Sequence, residues 1–491
     1  MTSPTNAKKN IYFLGIAGTG MASAAGLLQS LGHKISGSDQ EIYPPMSDML
    51  ADLAIPVMSP YSANNLESQK PDLVIVANAL SRGNVEIEAM INQNIPYTSF
   101  PQILGDEILS KRCSIVVSGT HGKTTTCSLF AHILNELGLD PGFLIGGIPR
   151  NFPLSFRLGG GPCFITEGDE YDTAFFDKGP KFLHYAPRFL IINNVEFDHA
   201  DIYKNASEIE TQFAKLCDLV PEKDQIIANA DDPGVMNVLK LVGLENKVSL
   251  VATKGQRKDG VALKVLESKA KQDSSGEGWE VTWDVEGKIQ NFATTLLGDH
   301  NASNIAMVYA CMRTLEKKSQ IPRFSEQQFS EALRSFKGVK RRMDLLGKVG
   351  DIDVYEDFAH HPTAISTVIQ GFRKSHPHRR LLVAFEPRNA TSRRNVFQQQ
   401  FAQALKLADL VFIGKCPVDQ RIPDDQRMNT KAMRDSIGTK ALSFDTNEEL
   451  LEAMVKKTQP GDSLLFMSSS SFSGVQHRAS SELSKKLNMK A

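Results

Sequence analysis

The sequence predicts an α/β protein of three domains with mainly parallel sheets, on the strength of three observations. The chain has 491 residues, and a domain typically takes about 150. Hydrophobic residues make up 41% of it and charged residues 23%, which is typical of globular proteins and excludes a disordered or fibrous one. Short apolar strands, each followed by a loop and a helix, recur in three segments. We expect domains at residues 1–112, 113–335 and 336–491.

The predicted strands are short apolar runs, many of them rich in β-branched residues. They lie at 11–14 and 72–76 in the first domain, at 114–117, 189–192 and 225–228 in the second, and at 381–385, 410–413 and 463–466 in the third. Segments long enough for helices separate them, so we expect crossover connections and parallel sheets.

Between residues 256 and 292 the pattern changes. Residues 279–285 alternate apolar and polar side chains at period two, and the polar run 272–278 is typical of a turn. We therefore expect an antiparallel β insertion at the surface of the second domain.

Charge balance excludes some classes of partner. The chain has 55 Lys and Arg residues against 56 Asp and Glu residues, a formal net charge of −1. A chain with this balance has no bulk electrostatic attraction to nucleic acid or to an anionic membrane. We expect neither as a partner.

Cysteine usage and the N-terminal region indicate a cytoplasmic protein. The six cysteines are scattered, with no C-x-x-C pair and no histidine at zinc-finger spacing, which argues against a structural zinc site or a disulfide framework. The uncharged run 11–28 has the length of a signal peptide or short membrane span, but four glycines interrupt it. Such segments are more continuously apolar, so we expect a buried strand, a turn and a helix here.

The strongest local motif is GTHGKTTT at 119–126. It follows a β-branched strand and precedes a predicted amphipathic helix, whose apolar residues are Cys127, Phe130, Ile133, Leu134 and Leu137. Glycines let backbone N–H groups converge on phosphate oxygens, and the helix N-terminus adds its dipole. Lys123 can then bridge β- and γ-phosphates, and the Thr124 hydroxyl can reach Mg²⁺. Val117 stands where the common G-x-x-x-x-G-K-[ST] form has its first glycine, yet strand, loop and helix together predict nucleotide phosphate binding.

Two acidic segments follow other strands of the second domain. Residues 167–172 (EGDEYD) hold four carboxylates, which repel one another unless a cation or solvent relieves them. A solvated acidic turn is one interpretation, but the phosphate loop upstream favours a Mg²⁺ site. Residues 193–201 (NNVEFDHAD) contain His199, at a point where a third strand would bring it toward the phosphates.

A second glycine turn lies near the N-terminus. Gly15, Gly18 and Gly20 form G-x-x-G-x-G, which differs from the dinucleotide fingerprint G-x-G-x-x-G. The turn suits a nucleotide diphosphate, with Ser38 and Asp39 near the ribose or base. A tight turn without a ligand is the alternative interpretation.

The third domain carries a charged cluster. It comprises Arg341 and Arg342, residues 356–362 (EDFAHHP) and residues 386–388 (EPR). Spacing alone assigns no role to these side chains.

Together these motifs resemble those of the Mur ligases, the ATP-dependent amide-forming enzymes of bacterial peptidoglycan synthesis. The motifs are, in order, GIAGTGM (15–21), GSD (37–39), GTHGKTTT (119–126), EGDEYD (167–172), NNVEFDHAD (193–201), LGDHNASN (297–304), GVKRRMD (338–344) and EDFAHHP (356–362). The resemblance implies a Rossmann-like UDP-sugar domain, a central P-loop ATPase-like domain with a β insertion, and a Rossmann-like domain for the acceptor peptide.

The resemblance also implies the site residues. The UDP-sugar site would comprise Gly15, Gly18, Thr19, Gly20, Met21, Ser38 and Asp39. The ATP site would comprise Gly119, Thr120, His121, Gly122, Lys123, Thr124, Thr125, Asn301, Asn304 and Arg342. The catalytic residues would be Lys123, Glu167, His199, Arg342, Asp357 and His360.

Two Mg²⁺ ions are expected on the same grounds. Thr124 and Glu167 would hold the first and His199 the second. Arg388 and His360 would contact the acceptor peptide.

Further stretches resemble one branch of the family: residues 43–47, 174–178, 181–185, 196–201 and 467–474. That branch uses ATP, through an acyl phosphate, to join L-alanyl-γ-D-glutamyl-meso-diaminopimelate to UDP-N-acetylmuramate in murein recycling. We expect those three molecules as partners of a monomer or weak dimer.

Three other functions compete with this one. The nearest is the branch that adds L-alanine to the same sugar nucleotide, since the chemistry is identical and only the amine pocket differs. A dinucleotide-dependent oxidoreductase is disfavoured because G-x-G-x-x-G is missing. An ATP-gated binding module is disfavoured by the acidic segments, by His199 and by a separate sugar-nucleotide site.

Overall fold

The computed structural model describes residues 8–254, 260–273 and 276–488. Within them the strands form three large sheets, one after another along the chain, and one separate hairpin. Ser274 and Ser275, which belong to the predicted polar turn, lie outside the described residues. No helix among the described residues has both the length and the apolar character needed to cross a bilayer.

The N-terminal sheet is parallel, with strand order β3-β2-β1-β4-β5. Its elements are β1 (Asn10–Leu14), α1 (Thr19–Ser30), β2 (Lys34–Ser38), α2 (Met46–Asp52), β3 (Val57–Met58), α3 (Ala63–Gln69), β4 (Leu73–Val76), α4 (Val85–Asn92), β5 (Tyr97–Thr98) and α5 (Phe100–Glu107). The strands predicted at 11–14 and 72–76 are confirmed as β1 and β4. The run 11–28 folds as the expected strand, turn and helix.

The central sheet has ten strands in the order β17-β16-β15-β14-β13-β12-β6-β9-β7-β8. This part of the chain comprises β6 (Cys113–Ser118), α6 (Lys123–Glu136), β7 (Gly142–Leu144), β8 (Phe156–Arg157), β9 (Cys163–Gly168), β10 (Asp172–Ala174), β11 (Asp177–Pro180), β12 (Phe189–Ile192), α7 (Ala206–Leu219), β13 (Ile226–Asn229), α8 (Pro233–Leu241), β14 (Ser249–Ala252), β15 (Leu263–Asp273), β16 (Gly276–Val285), β17 (Lys288–Thr294), α9 (Asp299–Lys317) and α10 (Glu326–Ser335). Strand β6 lies between β12 and β9, and all its residues are buried, as expected of a parallel strand covered on both faces.

Helix α6 differs from its predicted amphipathic form. Every residue from Thr124 to Leu134 is buried, whereas an amphipathic helix keeps one face in water. The prediction was wrong because α9 and α10 pack against α6 in addition to the sheet.

The β insertion is antiparallel, as predicted, but it is not a surface appendage. Strands β15, β16 and β17 extend the central sheet beyond β14. Trp279 and Trp283 on one face of β16 are fully buried, and Trp283 stacks on Phe292 with ring centroids 4.6 Å apart. The period-two alternation is thus confirmed, and its apolar side completes the core over α9 and α10.

The C-terminal sheet has the order β18-β19-β23-β20-β21-β22. Its elements are β18 (Asp344–Val349), β19 (Ile352–Asp357), α11 (Pro362–Ser375), β20 (Arg380–Glu386), α12 (Gln398–Leu405), β21 (Leu410–Ile413), α13 (Thr430–Ile437), β22 (Ala441–Ser443), α14 (Asn447–Lys457), β23 (Asp462–Ser468) and α15 (Val475–Asn488). All pairs are parallel except that of the edge strand β18 with β19. The three predicted strands are confirmed as β20, β21 and β23.

The junctions between the sheets differ in character. One continuous buried cluster includes apolar side chains of the N-terminal sheet and of the adjacent face of the central sheet. In contrast, the buried clusters of the C-terminal sheet contain only residues from 343 onward. The linker into it is bound to the central part: the Arg150 N–H donates to the Gly338 carbonyl at 2.9 Å, and the Lys340 N–H donates to the Ile148 carbonyl at 3.0 Å.

Candidate active site

The carboxyl ends of β6, β9 and β12 meet at one edge of the central sheet. Ser118 of β6 is in register with Gly168 of β9 on one side and with Ile192 of β12 on the other. The loop 119–122, the acidic segment and the loop that carries His199 all leave from these strand ends. Such an edge is where parallel sheets bind ligands.

The loop 119–122 is shaped by two glycines in the left-handed region. Gly119 has φ 137° and Gly122 has φ 84°, which glycine adopts without a steric penalty. A Cβ on Gly122 would also lie 2.7 Å from Oδ1 of Asn304. Helix α6 begins directly after the loop without a side-chain cap, so its first N–H groups remain available to an anion.

Asn194, after β12, supports this loop from behind. Its side-chain oxygen accepts the His121 N–H at 2.8 Å, and its backbone carbonyl accepts the Thr120 N–H at 3.1 Å. The Thr120 hydroxyl in turn accepts the Glu196 N–H at 2.9 Å. These bonds fix the backbone of the loop before any ligand arrives.

Lys123, the first residue of α6, forms a buried ion pair. Its Nζ donates to Oε2 of Glu170 at 2.8 Å and to the Gly119 carbonyl at 2.7 Å. Burial alone would lower the pKa of Lys123, but the carboxylates of Glu170 and Asp169 outweigh it and raise that pKa above its ordinary value. The ammonium therefore stays charged at the mouth of the loop.

Thr124 and Glu167 form an oxygen-rich pair beside Lys123. The Thr124 hydroxyl donates to Oε2 of Glu167 at 3.2 Å, and the Gly146 N–H donates to Oε1 at 2.6 Å. Burial raises the pKa of Glu167, an effect that the Gly146 N–H and Lys123 oppose. A hydroxyl next to a carboxylate is a donor set that suits a hard cation such as Mg²⁺.

His199 joins the acidic segment in a second cluster. One ligand atom each from Asp169, Glu170 and His199 lies within 4.8 Å of the other two, with Nε2 of His199 3.5 Å from Oε1 of Glu170. Lys181 donates to Asp169 at 2.6 Å. Burial would lower the pKa of His199, but Glu170 and Asp198 raise it to about 9. Without a bound cation the protonated imidazole is therefore favoured at neutral pH, and a metal ion held by His199 would displace that proton.

Arg342 reaches this edge from the C-terminal part of the chain. Its guanidinium lies 3.4 Å from the Thr124 hydroxyl oxygen and 5.0 Å from the centre of the Phe358 ring. Asp357, at the end of β19, accepts the N–H groups of Met343 and Ala359 at 2.8 and 2.7 Å. Burial raises the pKa of Asp357, although the charge of Arg342 opposes this.

His360 lies at the same junction as a neutral imidazole. Its Nδ1 is 2.8 Å from the Phe358 carbonyl oxygen, and burial lowers the pKa of His360 to about 4. Close by, the Thr391 hydroxyl donates to Oδ1 of Asp198 at 2.8 Å and accepts the Ala200 N–H at 3.4 Å. The two residues that flank His199 are therefore held by the C-terminal domain.

The remaining predicted ATP-site residues pack around the loop. Asn304 donates to Oδ1 of Asn301 at 3.2 Å, and Asn301 donates to the Leu297 carbonyl at 2.8 Å. Oδ1 of Asn304 would lie 2.7 Å from a Cβ on Gly122, so the beginning of α9 lies next to the loop. Thr125 is buried in the first turn of α6.

The predicted UDP-sugar residues lie apart from this edge, at the carboxyl end of β1. Gly15 has φ 80°, and a Cβ there would lie 2.7 Å from the Ala77 Cβ. Gly18, Thr19 and Gly20 are exposed, whereas Met21 is buried. Helix α1 also lacks a side-chain cap.

Ser38 and Asp39 differ in what they can offer a ligand. The buried Ser38 hydroxyl donates to Oε2 of the buried Glu86 at 2.5 Å, so it already has an internal partner. Asp39 is only partly buried; it accepts the Ala17 N–H at 2.9 Å and the Tyr61 hydroxyl at 3.1 Å. Asp39 thus links β2 to the glycine turn.

Arg388 follows β20 in the C-terminal sheet. Its Nε is 3.0 Å from Oε1 of the buried Glu386, and Ser468 and Asn447 donate to the same carboxylate. The loop that begins with Arg388 also carries Thr391.

Sequence reasoning left three supporting residues without a role: Asn194, Thr391 and Glu86. Asn194 lies directly after a predicted strand, within the segment already singled out, so its position was an available signal. Thr391 and Glu86 act over separations of 193 and 48 residues along the chain. Nothing in their local sequence announces those contacts.

Family profiles match all three parts of the chain. They are described as "Mur ligase family, catalytic domain" at residues 10–112, "Mur ligase middle domain" at 117–312 and "Mur ligase, glutamate ligase domain" at 341–470. The match thus covers the N-terminal, central and C-terminal sheets in turn.

Individual proteins resemble the chain over nearly its whole length. The Escherichia coli UDP-N-acetylmuramate--L-alanyl-gamma-D-glutamyl-meso-2,6-diaminoheptandioate ligase is 38% identical over 97% of this chain and 98% of its own. A UDP-N-acetylmuramate--L-alanine ligase of Cupriavidus taiwanensis is 30% identical over 95% of this chain and 96% of its own.

A solved structure supports the same relationship. The crystal structure of a murein peptide ligase from Psychrobacter arcticus superimposes with a TM-score of 0.71 at 33% identity, covering 96% of this chain and 98% of that one. Together with the loop, the acidic segment and the His199 cluster, these likenesses establish that the chain belongs to the Mur ligase family.

Proposed function

We propose that this protein is an ATP-dependent ligase that joins L-alanyl-γ-D-glutamyl-meso-diaminopimelate to UDP-N-acetylmuramate, in murein recycling. The observation that carries the proposal is the meeting of Lys123, the Thr124–Glu167 pair and the His199 cluster at one sheet edge. That edge combines a phosphate loop with cation ligands, which is what phosphoryl transfer requires. We propose the tripeptide, rather than L-alanine, as the acceptor. The relative whose name includes the tripeptide is 38% identical to this chain, whereas the relative named for L-alanine is 30% identical.

The residues present fit Mg²⁺. Thr124 and Glu167 supply oxygen donors, and Asp169, Glu170 and His199 bring further ligand atoms together. We propose that the first pair holds one ion and that His199 helps to hold a second. When bound, Mg²⁺ would offset negative charge on the phosphates of ATP.

We propose that the first step forms an acyl phosphate. A muramate carboxylate oxygen attacks the γ-phosphorus, the bond from that phosphorus to the β-bridging oxygen breaks, and ADP leaves. Lys123 would shift from Glu170 to the γ-phosphate oxygens, where its charge stabilises the transition state. Arg342, already at the Thr124 hydroxyl, would face the same charge.

In the second step the amine nitrogen of the tripeptide attacks the acyl carbon. The carbon–oxygen bond to phosphate breaks, and the departing phosphate takes up the proton that the nitrogen loses and leaves as hydrogen phosphate. We infer that His360 and Arg388 lie on the acceptor side, because both belong to the C-terminal domain, which contacts the central sheet edge through Arg342 and Thr391. Contacts such as Thr391 to Asp198 would keep water away from the reactive acyl phosphate.

We propose that the exposed turn of Gly18, Thr19 and Gly20 binds the diphosphate of UDP-N-acetylmuramate, with Asp39 nearby. The uncapped N-terminus of α1 supports this, since free N–H groups attract anions. A cytoplasmic location follows from the use of ATP and agrees with six free cysteines.

The test is an acceptor assay on the purified full chain. ATP, Mg²⁺ and UDP-N-acetylmuramate are supplied with either the tripeptide or L-alanine, and phosphate release and the product mass are followed. We expect turnover with the tripeptide. Turnover with L-alanine alone would refute the choice of acceptor, and turnover with neither would refute the ligase assignment.

A further inference from the structure

A further group of possible metal ligands is separate from the Thr124–Glu167 pair and from the His199 cluster, the two proposed Mg²⁺ sites. It comprises His121 of the phosphate loop, Glu196 of the loop after β12, and His361 at the start of α11. One ligand atom from each lies within 4.8 Å of the other two. We call these three residues the junction cluster, because they come from the phosphate loop, the central sheet and the C-terminal domain.

The hydrogen bonds of His361 assign its tautomer. Its Nε2 faces the Phe197 carbonyl oxygen at 3.2 Å, and a carbonyl can only accept, so Nε2 carries the proton. Nδ1 accepts a long bond of 3.4 Å from the Thr363 N–H, so it carries a lone pair. A neutral imidazole whose N–H donates to a backbone carbonyl is the usual state of a metal-binding histidine.

The other two ligand atoms lie close to this nitrogen, whose lone pair a metal ion would take over from the long bond to the Thr363 N–H. Nε2 of His121 is buried and has no hydrogen-bond partner in the described structure. It lies 3.4 Å from Oε2 of Glu196, and Nδ1 of His361 lies 3.7 Å from the same oxygen. The Thr363 hydroxyl donates to that oxygen at 2.7 Å, which holds the carboxylate in place.

These separations match a small coordination sphere. Ligands about 2.0–2.1 Å from a tetrahedral ion are about 3.4 Å apart. The two distances to Oε2 of Glu196 are already 3.4 and 3.7 Å. Only the separation of the two histidine nitrogens, which is at most 4.8 Å, would need to contract.

We propose that the junction cluster binds a divalent transition-metal ion of the zinc class. Two imidazole nitrogens and one carboxylate oxygen suit Zn²⁺ or Co²⁺. Mg²⁺ is held mainly by oxygen ligands, as in the Asp169–Glu170–His199 cluster, where two of the three ligands are carboxylates. The site therefore differs in chemistry from the Thr124–Glu167 pair, and it does not depend on the proposed ligase activity. A bound ion would tie the phosphate loop to α11 and hold the C-terminal domain against the central sheet.

The test titrates Co²⁺ into the metal-free full chain in excess Mg²⁺, which occupies oxygen sites, and follows the visible ligand-field absorption of low-coordinate cobalt. The variants are His121→Asn, His361→Asn and Glu196→Gln. Asn at position 361 keeps a helix-capping acceptor, and Gln at 196 keeps an oxygen for Thr363. We expect each variant to weaken Co²⁺ binding by at least ~10-fold. Even the loss of a residue that only hydrogen-bonds to a metal ligand typically costs that much affinity.

Two control variants show which cluster gives the Co²⁺ absorption band. His378→Asn alters an exposed histidine and should leave Co²⁺ binding unchanged. His199→Asn removes the histidine of the other cluster and should also leave the absorption band in place. The proposal would be overturned if the wild-type protein gave no band. It would also be overturned if the band survived in His361→Asn but was lost in His199→Asn. Circular dichroism checks that each variant is folded.

Discussion

The two glycine turns of this protein share one backbone design but differ in the side chains around them. Both follow a buried parallel strand, both begin with a glycine at positive φ (Gly15 and Gly119), and both lead into a helix without a side-chain cap. The turn after β6 is surrounded by a lysine, a threonine and buried carboxylates, whereas the turn after β1 has no ionisable residue between positions 15 and 21. Both helices therefore offer uncapped N–H groups, which attract anions, but only the turn after β6 has side chains that could assist a reaction.

The largest expected effect is a loss of kcat when the turn after β6 is changed. Lys123→Ala removes the charge at the mouth of loop 119–122, and we expect kcat to fall on the order of 10²–10³-fold, as when other transition-state charge contacts are lost. The KM for UDP-N-acetylmuramate should change little. Phosphate release measures both, with the exposed Lys215→Ala as control. If Lys123→Ala left kcat unchanged, the side chains around the turn after β6 would not assist the reaction, and the two turns would not differ in this respect.

The next effect concerns the N-terminal turn. Gly15→Ala places a Cβ at φ 80° and 2.7 Å from the Ala77 Cβ, so we expect a loss of about 1–3 kcal/mol in unfolding free energy from the backbone conformation alone, and a raised KM for the sugar nucleotide. Gly138→Ala is the matched control, because its φ is 73° and a Cβ there meets nothing within 4 Å. Denaturant melts should place Gly15→Ala below Gly138→Ala; equal stability would show that the close contact contributes nothing.

A smaller effect is expected at Asp39. Asp39→Asn keeps an oxygen for the Ala17 N–H but loses the charge, so we expect a change of about 1 kcal/mol in sugar-nucleotide binding, measured as KM with kcat unchanged. The exposed Asp52→Asn on α2 serves as control. A fall in kcat without a change in KM would contradict a binding role for this turn.

The smallest effect tests stability at the other end of α6. Burial lowers the pKa of His132, whose Nε2 lies 3.0 Å from the Ala332 carbonyl oxygen. Because the folded pKa lies below the unfolded one, the unfolded chain takes up the proton first, and stability is lost as pH falls below about 6.5. His132→Gln should flatten the acid side of the Tm–pH curve without changing kcat at neutral pH. An unaltered curve would exclude His132 as a source of acid sensitivity.

The local sequence pattern was sufficient to predict those features whose structure depends on one segment of the chain alone. The strands, the loop 119–122 and the alternation in 279–285 could all be predicted because glycine position and side-chain period are local properties. Solvent exposure was harder to predict. Helix α6 and the β insertion are more buried than expected, since α9 and α10 cover both. These two helices follow the β insertion directly but are far from α6 along the chain.

The candidate site shows the same division. Individual motifs predicted that Lys123, Thr124, Glu167 and His199 belong near one sheet edge, and the structure brings them together. Hydrogen-bond partners could not be predicted: Ser38 turned out to be engaged by Glu86, and Asp198 by Thr391. Such pairs depend on the tertiary fold, and their ligand roles remain predictions.

The linker at 338–340 is anchored to the central domain by its bonds to Ile148 and Arg150, and the first two sheets share one apolar core. Arg342 follows this anchor by only two residues, so its position beside Thr124 depends on a very short length of chain. Thr391 belongs to the loop after β20, and its bond to Asp198 joins residues 193 positions apart. A rotation of the C-terminal domain about the linker would therefore displace the backbone of Arg342 little, and the arginine would stay beside Thr124 even if the Thr391–Asp198 bond opened.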